Sequence, residues 1–225
     1  MKKLLLVLLC LPLITFSQTI ETFNYTGSIE TFTVPVGVNT IFIETYGAQG
    51  GGDDGQPGGL GAYMSGEFSV TPGDQFQILV GQQGGVDPNG GTYSSGGGGG
   101  SFVVDMSNNP LIISGGGGAT NGLPFSGTQD AGTGESGQDG YSDSNLGNYG
   151  VGGLPGYGAL NGPSSPCAGN GGGLLTDGEQ ETCCMDASVG IAFVNGGYAA
   201  TNGGCGTLSP GGFGGGGAGG NHGAG

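Results

Sequence analysis

From Val80 to Gly118 the sequence alternates between ordinary strand-forming stretches and runs of glycine, and that alternation limits the folds open to the whole chain. Leu79-Val80-Gly81-Gln82-Gln83-Gly84 leads to Gly96, Gly97, Gly98, Gly99 and Gly100, which Ser101-Phe102-Val103-Val104 follows directly. A turn at Asn108-Asn109-Pro110 and a second apolar stretch, Leu111-Ile112-Ile113-Ser114, precede Gly115, Gly116, Gly117 and Gly118. Fixing one residue's backbone costs about 1–2 kcal/mol, so ordering a run of five glycines costs roughly 5–10 kcal/mol, with no side chain to offset it. The one gain available is main-chain hydrogen bonding, at about 0.5–1.5 kcal/mol net per bond.

An extended, left-handed threefold helix rises about 3.1 Å per residue and turns its N–H and C=O groups outward. Without side chains in the way, several such helices can bond one another laterally. A bundle is therefore the ordered state expected of the runs near Gly96, Gly115, Gly171 and Gly214. Disorder is the alternative. The 60 glycines among 225 residues do not spell collagen, because no strict Gly-X-Y period runs anywhere and the 11 prolines are scattered. A hydrophobic content of 34% and clear alternation argue against disorder over residues 20–115.

Charge excludes whole classes of function. Lys2 and Lys3 are the only basic residues, and they precede the apolar run Leu4–Leu13. This is the pattern of a secretory signal, with cleavage expected after Thr15-Phe16-Ser17 and before Gln18. The run is too short to span a bilayer. Cys10 lies inside it rather than after it, which leaves a lipoprotein cysteine as the minor alternative. The mature chain then carries 17 acids, no Lys, no Arg and one His. It cannot neutralise phosphates, so nucleic acid is excluded as a partner, and anionic membrane surfaces repel it. The expected product is soluble, secreted or cell-surface, and without direct membrane insertion. Cys167, Cys183, Cys184 and Cys205 remain after cleavage, an even number in an exported chain, and are disulfide candidates with three pairings open. A zinc site is the alternative, but the spacing is wrong and no histidine lies nearby.

Strand signals follow in order. Residues 22–34 suggest a hairpin ending in Ile29-Glu30-Thr31-Phe32-Thr33-Val34. Thr40 to Tyr46 alternates, with Ile41, Ile43 and Thr45 on one face and Phe42, Glu44 and Tyr46 on the other. In the strand from Tyr63 to Val70, Met64, Gly66, Phe68 and Val70 share a face, and Thr71-Pro72-Gly73-Asp74 suits a type II turn. Phe76, Ile78 and Val80 alternate in the next strand, and two more flank Asn108-Asn109-Pro110. Short strands with turn signals between them predict an all-β antiparallel sandwich, with no α-helix outside the signal. From Ala119 to Pro166 apolar residues are isolated. Val189–Val194 is either a further strand or apolar packing over the glycine region.

Motifs for chemistry are thin. Gly132-Thr133-Gly134-Glu135-Ser136-Gly137 fits a dinucleotide pattern but has no strand before it and no helix after it. His222 sits in a glycine tail with nothing to orient it as a base. Neither catalytic nor cofactor residues are expected. Asp53-Asp54, the segment Asp139-Gly140-Tyr141-Ser142-Asp143, and Asp177-Gly178-Glu179-Gln180-Glu181 could offer oxygens to calcium. None has a calcium-loop spacing, and solvated acidic loops are the simpler reading. Asn24-Tyr25-Thr26 is a formal glycosylation sequon, idle in a bacterial source such as the Lys-Lys signal and Phe-Ser-Gln ending suggest.

The succession Ile78–Gly84, Gly96–Val103 and Pro110–Gly118 resembles the glycine-rich domain of the anaplastic lymphoma kinase and leukocyte tyrosine kinase receptors. Gly211-Gly212-Phe213 with Gly214, Gly215, Gly216 and Gly217 resembles that domain's later glycine block. Phe32-Thr33-Val34-Pro35 and Tyr46-Gly47-Ala48-Gln49-Gly50-Gly51 are similar to its opening strands. They are similar as well to glycine-rich modules of secreted bacterial (Bacteroidetes-like) surface proteins. The likeness is close over residues 25–118 and loose over 119–225.

It implies a TNF-like sandwich from which a bundle of polyglycine helices projects, with a ligand bound outside the cell. It also implies that a closing glycine block and a last strand lie beyond Gly225, so that these residues look truncated and leave a sheet edge open. The kinase activity of those receptors has no counterpart here. The expected division is a signal at 1–17, sandwich strands with the first glycine runs at 18–118, and a glycine-rich bundle region at 119–225. The expected function is a non-enzymatic module binding a protein or glycan ligand at the cell surface, for adhesion. The alternatives are the ectodomain fragment of a receptor and a structural spacer.

Overall fold

The computed structural model describes residues 19–52, 55–86, 95–120, 129–139, 150–162, 168–180, 187–203 and 209–220. The strands are β1 (Glu30–Thr33), β2 (Thr40–Tyr46), β3 (Tyr63–Ser69), β4 (Gln75–Leu79), β5 (Ser101–Asp105) and β6 (Pro110–Ser114). They form a four-stranded sheet in the order β1-β4-β5-β6 and a two-stranded sheet, β2-β3, all antiparallel. Among the described residues the only helical element is a 3-10 turn at Phe193–Asn195. No helix among them is long and apolar enough to cross a membrane.

Period-two patterning accounts for the first apolar cluster. Phe76 and Ile78 of β4, Val103 of β5 and Ile112 of β6 point the same way as their register requires. Ile41 and Ile43 of β2 and Met64 and Phe68 of β3 pack against them, so the two sheets share one cluster. Val34 and Val70, each just past a strand end, complete it. The type II turn falls where expected: Gly73 has φ 94°, Asp74 N–H donates to Thr71 O at 2.9 Å, and Gly73 N–H donates to Val34 O at 2.9 Å.

A second cluster covers the opposite face of the larger sheet. Leu79, Phe102 and Val104 meet Leu174, Phe193 and Phe213, which come from the glycine-rich half. The Phe102 and Phe193 rings lie 5.3 Å apart. Burying each such ring stabilises the fold by about 1.5–3 kcal/mol relative to leaving it in water. Ser101 to Val104 of β5 are consequently buried on both faces, as a central strand between two layers must be.

Two sequence expectations are corrected. Residues 22–29 form no strand, so there is no hairpin at 22–34, and β1 pairs with β4 instead. Gly27 turns the chain at φ 75°, but the segment before it finds no strand partner and contributes only Phe23 to the first cluster. Val189–Val194 is not a strand either. Its end closes in the 3-10 turn, with Gly196 and Gly197 at φ 110° and 67°, and the packing alternative holds because Phe193 is buried in the second cluster.

The β5–β6 turn is organised by an acid that patterning does not single out. One Asp105 carboxylate oxygen accepts the N–H groups of Ser107 and Asn109 at 2.7 and 2.9 Å, and the other accepts the Asn109 amide at 2.8 Å. Asn108 takes the left-handed conformation, φ 64°, which asparagine tolerates. The Asn109 side chain, then its backbone N–H, hold the Asp105 carboxyl below its usual range. A depressed folded-state value means that the contribution to stability is complete above the unfolded carboxyl's range and lost as pH falls through the folded one. In Asp105→Asn, the Ser107 and Asn109 amides should be less protected at neutral pH, and the acid-dependent fall in their protection factors should disappear. Amide exchange followed from neutral to acid pH checks both.

Candidate functional site

The run Gly96–Gly100 is held by its neighbours on every side. Its N–H groups donate in turn to Gly85 O, Gly217 O, Gly117 O, Gln82 O and Gly214 O, at 2.9, 2.9, 2.8, 2.9 and 3.0 Å. Every third donor therefore returns to the same segment: Gly96 and Gly99 to residues 82–85, Gly97 and Gly100 to residues 214–217. The acceptors behave alike. Gly96 O takes Gly51 N–H at 2.8 Å and Gly99 O takes Ala48 N–H at 2.9 Å, both from one segment, while Gly97 O takes Gly212 N–H at 2.9 Å. The second run is tied in through Gly117 N–H to Ala48 O and Gly118 N–H to Gln129 O, at 2.8 and 2.7 Å.

The later block behaves differently at its start. Gly214 and Gly215 have φ 102° and 82° and form a turn closed by Gly216 N–H to Gly212 O at 2.9 Å. Residues 211–220 are nonetheless buried throughout. Gly98 N–H to Gly117 O and Gly100 N–H to Gly214 O bring the three runs into contact.

Close approach, rather than conformational freedom, requires glycine at Gly99 and Gly47. A Cβ on Gly99 would overlap Phe213 O, and one on Gly47 would overlap Gly115 O. Those oxygens lie along the Cα–H direction, where they act as weak C–H···O acceptors. Nothing lies within 4 Å of a Cβ on Gly134. Gly99→Ala should lower unfolding free energy by about 1–3 kcal/mol or more, and Gly134→Ala should stay within about 0.5 kcal/mol. Urea denaturation midpoints compare the two.

The outward face of β2–β3 presents the other organised feature. Phe42, Tyr46 and Tyr63 are 60%, 64% and 45% exposed, although large aromatic side chains gain by burial. Register puts Tyr46 opposite Tyr63, Glu44 opposite Ser65 and Phe42 opposite Glu67. The tyrosine rings are 4.9 Å apart, and the Tyr63 hydroxyl donates to a Glu44 carboxylate oxygen at 2.6 Å. That bond favours the neutral phenol and raises the Tyr63 pKa above its ordinary value. By linkage its contribution is complete below the ordinary tyrosine value and is lost as pH rises through the raised one. In an alkaline titration followed by NMR, Tyr63 should ionise at higher pH than in Glu44→Gln, which should bring it back toward the ordinary value.

A groove of about 880 Å³ runs beside β6, lined by Leu111, Ala131, Leu154 and Leu175 among others. Buried at its side, the Gln129 side-chain amide oxygen, Oε1, has no hydrogen-bond partner. The Gly132–Gly137 segment also lines it, with bends at residues 133–136.

The acids of the proposed oxygen clusters serve local backbone. Asp139 accepts Gly152 N–H at 2.9 Å, Asp177 accepts Ala192 N–H at 2.8 Å, and Glu179 accepts Asn161 N–H at 2.8 Å. Among the described residues no group of three or more His, Cys, Asp or Glu side chains converges. Asp53, Asp54, Asp143, Glu181 and His222 lie outside the described residues, as do the disulfide candidates Cys167, Cys183, Cys184 and Cys205 and the signal at 1–17. Asn24 is exposed, and the Thr26 hydroxyl beside it donates to Ser28 O at 3.3 Å.

Neither a family model nor a curated protein sequence matches this chain.

Proposed function

We propose that the chain is a secreted or cell-surface, non-enzymatic binding module used in adhesion. The finer fold belongs to the same reading: a TNF-like antiparallel sandwich carrying a bundle of left-handed, threefold polyglycine helices. The observation that carries it is the return of every third N–H and C=O of Gly96–Gly100 to the same neighbouring segment. Three residues per turn is the repeat of such a helix. Further support for the sandwich comes from the apolar cluster that the two sheets share.

A bundle of this kind is rigid yet offers almost no acid, base or nucleophile, which suits a display scaffold better than a catalyst. Export is supported by the Lys2-Lys3 and Leu4–Leu13 pattern and by 17 acids with no Lys or Arg beyond Lys3. In that setting Cys167, Cys183, Cys184 and Cys205 are proposed to pair as structural disulfides. A second reading, the ligand-binding ectodomain of a receptor, is favoured by the succession of strands and glycine runs over residues 25–118. A spacer would need the bundle but not the exposed aromatic face of β2–β3.

Oxidised protein beginning at Gln18 should bind saturably to at least one member of a mixed panel of immobilised polysaccharides and extracellular glycoproteins, and urea-unfolded protein should not. Absence of saturable binding across the panel would count against adhesion. Amide exchange tests the scaffold in the same sample. Gly97, Gly98 and Gly99 should be strongly protected, and exchange at free-peptide rates would overturn the bundle.

A further inference from the structure

On the outward face of β2–β3, we infer a carbohydrate-binding site for a neutral glycan chain. The inference rests on the adhesion reading above and names the class of ligand. Phe42, Tyr46 and Tyr63 are exposed rings on one antiparallel face, and they are interleaved with Glu44, Ser65 and Glu67. Directly opposed side chains on such a face sit about 4.5–5.5 Å apart, comparable to the width of one pyranose ring. From Phe42 to Tyr46 the strand runs roughly 13 Å at about 3.4 Å per residue, so the face accommodates a short stretch of chain rather than one sugar.

A pyranose has an apolar C–H face and a rim of hydroxyl donors. Exposed aromatic rings take the first, and carboxylates, which only accept, take the second. The Tyr63 hydroxyl fixes Glu44 at 2.6 Å through one oxygen, so the acceptor is already oriented beside the tyrosine pair.

Charge decides between occupants. The face carries two carboxylates and no cation, and the chain has no Lys or Arg after Lys3, so uronate, sialylated and sulfated glycans are repelled. A protein surface fits less well. Glu44 and Glu67 would have to be desolvated at the middle of the contact, where interfaces are depleted of such charges. Sugar hydroxyls instead replace water at each carboxylate. A cationic peptide would satisfy the charge but leave the hydroxyl-rich remainder of the face unused.

Native affinity electrophoresis of the mature protein through gels holding glucan, xylan, mannan or galactan tests the site. At least one neutral polysaccharide should retard the wild type, while polygalacturonate and a sulfated glycan should not. Phe42→Ala and the double variant Tyr46→Ala/Tyr63→Ala should weaken retardation at least tenfold. Glu44→Gln should weaken it several-fold, and Tyr157→Ala, another exposed aromatic, should leave it unchanged. If the double variant fails to fold, ring-proton shifts of Tyr46 and Tyr63 in the wild type, titrated with an oligosaccharide of the retarding polymer, give the same answer.

The inference is overturned if no neutral polysaccharide retards the protein, if retardation ignores these substitutions, or if only a tetra-arginine peptide moves the rings. In each of these cases saturable binding elsewhere in the mixed panel would leave the adhesion reading standing, and its absence there would remove both.

Discussion

A backbone without side chains stays ordered only if its own polar groups find partners, and the structure around Gly96–Gly100 follows from that requirement. Five successive N–H groups find carbonyls in three different segments. Neither an α-helix nor a sheet distributes bonds in this way: the first keeps them within itself and the second sends them to two sides. Lateral bonding in several directions needs segments that approach to backbone contact, and only glycine permits the Phe213 O to Gly99 and Gly115 O to Gly47 approaches. Glycine content here is thus a packing condition. The entropy lost in ordering it is offset by many bonds of modest size rather than by a core.

The sheets make that arrangement sustainable. β4 and β5 send one set of side chains toward β2–β3 and the other toward Leu174, Phe193 and Phe213. The larger sheet is therefore sealed on both sides, one of them by residues that follow Gly118 by more than fifty positions. Each of these isolated apolar residues acts as a rivet between backbone-bonded segments and the sheet. The polar turn at Asp105 and the type II turn at Gly73 lie side by side at the end of the larger sheet away from Gly81 and Gly100.

Much of this was legible in the sequence where period two was strong. Thr40–Tyr46 emerges with its expected bounds and faces, and the strands around Asn108-Asn109-Pro110 fall on either side of that turn. Legibility fails where partners are remote. Leu79 and Phe102 belong to the second cluster, and nothing nearby in sequence indicates that Phe193 and Phe213 cover them. Residues 22–29 find no strand partner, and a local pattern cannot show which strand β1 will choose. The aromatic face was half visible: Phe42, Glu44 and Tyr46 alternate correctly. Tyr63 joins them only once β2 and β3 pair across the long connection at residues 47–62. The role of Asp105 in its turn depends on hydrogen bonds to Ser107 and Asn109 that no spacing rule singles out.

Four strands run almost without interruption into glycine: β2 into Gly47, β4 through Val80 into Gly81, β5 out of Gly100, and β6 into Gly115. At each of these junctions the chain passes from strand to glycine within one or two residues, with no intervening loop. A tensile load applied to the glycine segments is therefore directed along β4, β5 and β6 and resisted by their ladders in shear, with many bonds strained together. Peeling, in which bonds fail one after another, would require a sideways pull. For a molecule exposed to flow or contact, the strand-to-glycine continuity acts as a stiff strut.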